Sequence, residues 1–137
     1  MKHSLSHIYH RHNTDTGALI LRVVIGILFV YAGWFKITHL AAVTDMFAGM
    51  GLAPWRGGFV GWVELLGGLA LILGILFKPA NVALGVVMAV VVFGLPAETN
   101  SLFFGHDYQF VLLTALVSLY FIGPGRYTVR ALKRGLN

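Results

Sequence analysis

The chain of 137 residues contains no cysteine. That excludes disulfides, thiolate zinc sites, iron–sulfur clusters and thiol redox chemistry, so any redox role must draw its electrons from another molecule. Charge is scarce as well: 11% of the residues are charged, against about 25% in soluble domains. In their place stand 58% hydrophobic residues and a mean hydropathy of +0.81, a balance that belongs in a bilayer. The net charge of +5 would point a soluble chain toward nucleic acid. Here the lysines and arginines gather beside apolar runs, where they set topology and meet anionic lipid, so no nucleic-acid partner is expected.

The expected fold is all-α, one polytopic bundle of four transmembrane helices. The apolar runs are Ala18–Phe35, Gly57–Phe77, Pro79–Pro96 and the shorter Tyr108–Ile122, each near the ~20 residues that cross a hydrocarbon core. Residues 1–17 form an N-terminal tail, 18–122 the membrane domain and 123–137 a basic C-terminal tail. No small-residue cleavage site follows the tail, so the first run reads as a retained span and not a signal peptide. Lys78-Pro79 marks a tight hairpin between the second and third spans, with the proline in the first turn of a helix. Between the first two spans, Thr38 is placed to cap a short interfacial helix with Leu40, Val43, Phe47 and Met50 on one face, ending at Gly51. Seven basic residues (Lys2, Arg11, Lys78, Arg126, Arg130, Lys133, Arg134) fall on one side and two (Lys36, Arg56) on the other. By the positive-inside rule both termini are cytoplasmic.

Glycine is abundant in the second run, where Gly57, Gly61, Gly67, Gly68 and Gly74 surround a carboxylate, Glu64. Small residues let a neighbouring helix approach closely, and Gly26 and Gly33 in the first run form a matching stripe. Glu64 lies roughly 10 Å inside the span by helical rise, where an unpaired carboxylate costs about 2.5–3.5 kcal/mol. It must face the bundle interior and either have a partner, for which Lys36 and the Tyr31 hydroxyl are the candidates, or be protonated. Two readings stay open: a structural clasp between helices, or a ligand and proton site with His106 as a second candidate acid or base.

Other candidates follow from position. Arg22, one turn inside the first span, either snorkels to headgroups or caps a neighbouring helix's carbonyls. Trp34, Trp55 and Trp62 sit near the outer boundary as an interfacial belt, and Trp34, Trp62 and Tyr31 can alternatively flank an aromatic ligand. His39, Glu98, His106 and Asp107 fall in the two outer loops, where a shared site is conceivable. No HExxH-like spacing supports a metal there. His3, His7 and His10 share one face of the N-tail if it is helical.

Taken in order, LRVVIGILFVYAGWFKI, WVELLGGLALILGILFKPA and GPGRYTVRAL resemble the opening, hairpin and closing segments of the DoxX family over about Leu21 to Leu132. The resemblance implies a four-helix inner-membrane protein associated with quinone-linked or oxidative-stress redox systems. It carries over to Arg22, Gly26, Gly33, Lys36, Glu64, Gly67, Gly68, Gly123, Pro124, Gly125, Arg126 and Tyr127, with Arg22 and Arg126 read as structural charges. The expected function is a membrane subunit or accessory protein of such a system, with no intrinsic cofactor but a quinone-like molecule held near Glu64. Tyr31, Trp34, Lys36 and Trp62 would be its contacts, and a redox protein or further subunits its partners. The alternative is a structural or assembly protein whose buried charges serve packing. A carrier of lipophilic molecules is disfavoured by the lack of inverted repeats and broken helices.

Overall fold

The computed structural model describes the backbone of residues 2–96 and 106–136, with side chains from residue 13 onward within those ranges. The described residues form six helices: α1 (Lys2–Thr38), α2 (Leu40–Gly49), α3 (Trp55–Leu73), α4 (Phe77–Gly94), α5 (Asp107–Ile122) and α6 (Val129–Gly135). Segments 13–38, 55–73 and 77–94 are long and apolar enough to cross a membrane. The fourth membrane helix, α5, has 16 residues and reaches about 24 Å by helical rise. The all-α four-helix membrane bundle expected from the sequence is the fold observed.

The helix α1 shows no break at residues 17 and 18, the border drawn between tail and membrane domain. A formed helix propagates at little cost once nucleated, and residues 2–16 contain neither glycine nor proline to stop it. Whether His3, His7 and His10 converge lies outside the described side chains, as does Glu98.

Packing centres on α1 and α3, which run antiparallel with Gly33 opposite Gly61 and Gly26 opposite Gly68. A Cβ on Gly26 would come within 2.8 Å of the Gly68 carbonyl oxygen, and one on Gly68 within 2.7 Å of the Gly26 oxygen. Backbone therefore lies against backbone, the arrangement small residues permit in membranes. The neighbouring Gly67 faces the other way, onto Leu84 of α4. On that side Ile25, Phe29, Leu71, Leu84, Leu116 and Leu119 make the core between α1, α3, α4 and α5.

The connections follow the sequence in outline. Gly74 ends α3 in the left-handed conformation (φ 70°), and Pro79 sits in the first turn of α4. The short helix α2 docks through Val43 and Phe47 onto Gly57, where a Cβ would stand 2.6 Å from Val43 Cγ1. Leu40 and Met50, expected on the same face, are exposed instead. Thr38 is not the cap of α2. It belongs to the last turn of α1, and its hydroxyl donates back to the Trp34 carbonyl at 2.8 Å, a bond available to threonine within a continuing helix.

Both ends of the described chain lie at the same end of the bundle, because Arg126 Nε is 3.3 Å from Asp15 Oδ2 and the Arg126 backbone N–H donates to Asp15 Oδ1 at 3.2 Å. An even number of crossings requires that meeting.

Candidate functional site

Two buried charges divide the bundle between them. Toward the end of the bundle away from Asp15 and Arg126, Glu64 is buried on α3, with 4% of its side chain exposed, and its Oε2 accepts from Lys36 Nζ at 2.7 Å. The glycine seam explains how they meet. Lys36 stands three residues beyond Gly33 and Glu64 three beyond Gly61. At about 100° per residue on antiparallel helices, both turn to the same flank of the seam. That flank faces the start of α5, where Tyr108 lies within electrostatic reach of the Glu64 carboxylate. Lys36 is 21% exposed and Tyr108 is an exposed residue, so the buried carboxylate's neighbours are themselves accessible.

The aromatic residues expected around Glu64 are not brought to it. Trp34 and Trp62 each follow a seam glycine by one residue and so turn to the opposite flank, where they are 60% and 53% exposed. Tyr31 is 71% exposed and makes no hydrogen bond to Glu64, whose partner is Lys36 alone of the two proposed. These positions, with exposed Trp55, suit an interfacial belt. The seam spacing in the sequence was the signal for this, and the aromatic character of the residues obscured it.

Two of the loop histidines have contacts to neighbouring groups among the described residues. His39 stacks on Phe35 with ring centroids 4.4 Å apart, and its Nδ1 is 3.0 Å from Thr38 Oγ1. His106 precedes α5, its Nε2 3.4 Å from the Leu95 carbonyl oxygen. No three histidines, aspartates or glutamates among the described residues are grouped to hold a metal.

At the opposite end Arg22 is 0% exposed, which rules out snorkelling and leaves the capping reading. Its Nη1 donates to the Pro124 carbonyl at 2.5 Å, and its Nη2 to the carbonyls of Tyr127 at 2.8 Å and Ile72 at 3.4 Å. The cation thus sits at the negative end of the α3 dipole and ties the chain after α5 to it. Thr128 completes the closure, accepting from the Ala131 N–H at 3.1 Å as N-cap of α6. The Gly-Pro-Gly-Arg-Tyr segment is accordingly a latch, gripped by Arg22 through its carbonyls and by Asp15 through Arg126. Asp15 and Tyr108 were the participants that sequence reasoning missed: each is a single polar residue at the edge of an apolar run, with no spacing to single it out.

Comparison with known proteins agrees with this architecture. Over 64 residues the chain is 38% identical to the inner membrane protein YqjF of Escherichia coli (strain K12), a match covering 47% of this chain and 49% of that one. It therefore spans about half the length of that relative. Over 112 residues it is 26% identical to CatD of Bacillus subtilis (strain 168), provisionally named an oxidoreductase, with 80% and 81% of the two chains covered. No solved structure matches. The DoxX family model matches residues 17–97, which takes in the glycine seam, Arg22, Lys36 and Glu64 but not the latch segment. With more than half of its length matched in this way, the chain belongs to the DoxX family.

Proposed function

We propose that this protein is an accessory membrane subunit of a quinone-linked or oxidative-stress redox system, and that the Lys36–Glu64–Tyr108 cluster is where a quinone-like molecule meets it. The observation that carries this reading is a buried carboxylate holding a lysine whose side chain is itself partly exposed, with Tyr108 close enough to feel the carboxylate's charge. The name of the Bacillus relative points the same way. A quinone supplies the electron-accepting chemistry, and its reduction to quinol takes up two electrons and two protons. With no cysteine in the chain, the electrons come from a redox partner, and this protein's part is in binding and protons. Lys36 and Tyr108 are the donors suited to quinone oxygens, and Glu64 fixes the ammonium in place. Tyr31, Trp34 and Trp62 are left out of it, because the tryptophans turn to the other flank and Tyr31 is exposed without a bond to Glu64.

A second reading, a purely structural clasp, is favoured by the short contact that already satisfies the buried carboxylate. Glu64→Gln separates the two. In nanodiscs it is expected to lower stability by about 1–3 kcal/mol, since the Lys36 ammonium loses its counter-charge. Adding Lys36→Met should recover that loss. Equilibrium dialysis with a short-tailed benzoquinone should show binding by the unaltered protein and none by the double variant. Retained binding in the double variant favours the clasp, and no binding by the unaltered protein defeats the quinone reading.

The orientation we propose has both termini in the cytoplasm of a bacterial cell, with the protein in the inner membrane, motivated by the seven-to-two basic bias. Reporter fusions at residues 100 and 137 are expected on opposite sides of the membrane, and a shared side would overturn it.

A further inference from the structure

At the end of the bundle away from Glu64, α4 and α5 leave an apolar groove of about 310 Å³ between them, a volume at the small end of ligand sites. Its floor on α4 is Asn81, Gly85 and Ala89, one turn apart, and its α5 wall includes Leu116 and Tyr120. A Cβ on Gly85 would meet nothing within 4 Å, so the space there is not needed for packing α4 on α5. Asn81 is only 3% exposed, yet its amide Nδ2 has no hydrogen-bond partner. In hydrocarbon such a group is left wanting an acceptor, and none of the described residues supplies one. Asn81 is one of the residues that line the groove, and rotation about χ2 exchanges the positions of the amide's NH₂ and oxygen.

At the mouth of the groove, one turn before Asn81, Lys78 sets its Nζ 5.8 Å from the centre of the Tyr120 ring and forms no ion pair among the described residues. Helical rise puts roughly 4.5 Å between the levels of Lys78 and Asn81. That is about the step from the phosphate of a glycerophospholipid to its ester carbonyls, with the acyl chain continuing past Gly85 and Ala89. The same end of the bundle carries Arg126, Arg130, Lys133 and Arg134, a field that selects anionic headgroups.

We propose that the α4–α5 groove is a specific site for one anionic phospholipid. The Lys78 ammonium binds its phosphate, the Asn81 amide donates to an ester carbonyl, and the chain lies against Gly85. Tyr120 holds Lys78 over the headgroup.

The full chain, purified in detergent and stripped of lipid, provides the test, with phosphatidylglycerol or phosphatidylcholine of identical acyl chains added back. Saturable rise in the thermal midpoint and lipid retention in native mass spectrometry are the two readings. Phosphatidylglycerol is expected to bind roughly fivefold more tightly than phosphatidylcholine, and Lys78→Gln to weaken both and narrow the difference, the remaining basic residues keeping part of it. Asn81→Leu should weaken both lipids. Gly85→Leu, which fills the groove without meeting another residue's atoms at Cβ, should fold at least as well and lose the response to either. Equal responses to the two headgroups, or an undiminished response in Gly85→Leu, would overturn the site. So would cross-linking that joins two copies along α4 and α5 with no lipid retained.

Discussion

Gly33→Val is expected to dismantle the bundle. A Cβ at this position would stand 2.5 Å from the Gly61 carbonyl oxygen and 2.9 Å from Leu65 Cα. Both are backbone atoms of α3 and cannot rotate away, so the helices must separate along the whole seam. Valine adds two methyl groups to the same conflict. Overpacking of this kind costs roughly 3 kcal/mol, and close backbone approach is what favours helix association where lipid is as apolar as the side chains. Separation also draws Lys36 from Glu64, so the two losses are coupled. Thermal unfolding in a mild detergent should show a large drop in midpoint or no folded protein. The control is Gly85→Ala, whose Cβ meets nothing and which should be neutral or stabilising by about 0.5–1 kcal/mol through helix propensity. Equal midpoints for the two variants would refute backbone contact as the basis of the seam.

Arg22→Met should produce a different failure, local before it is global. Methionine fills much of the volume but leaves the carbonyls of Ile72, Pro124 and Tyr127 without their donor. Charge-assisted hydrogen bonds contribute about 1.5–3 kcal/mol each. Because the three share one guanidinium, the loss should be nearer 3–5 kcal/mol than their sum. The exposed Asp15–Arg126 pair contributes well under that, as surface pairs do. The latch should therefore open while α1, α3, α4 and α5 stay packed. Limited trypsin digestion is expected to cut after Arg126 and Arg130 much faster in the variant, with the spans protected. Unchanged cleavage would mean that the segment is held by something other than Arg22.

The pattern of what could be read in advance has a physical origin. Hydrophobic length alone determined the spans, since a run of apolar residues in a chain this poor in charge has one stable environment. Lys78-Pro79 marked the hairpin, through a missing N–H that suits the first turn of a helix, while the turn at Gly74 that ends α3 short of the apolar run's end at Phe77 came from the structure. Burial cost determined that Glu64 needs a partner, and Lys36 was within reach by helical rise. The rotational phase of each helix was harder to read. In soluble helices a polar face announces that phase, whereas α3, α4 and α5 are apolar nearly all round, and the seam glycines were its only markers. Tertiary structure alone decided that Trp34 and Trp62 turn away from Glu64, that Tyr108 comes within electrostatic reach of it, and that Arg22 reaches three carbonyls from two distant segments. Such contacts join residues as far apart as Arg22 and Tyr127, and the carbonyls they use carry no side-chain identity, so nothing in the order of the amino acids marks them before the helices have packed.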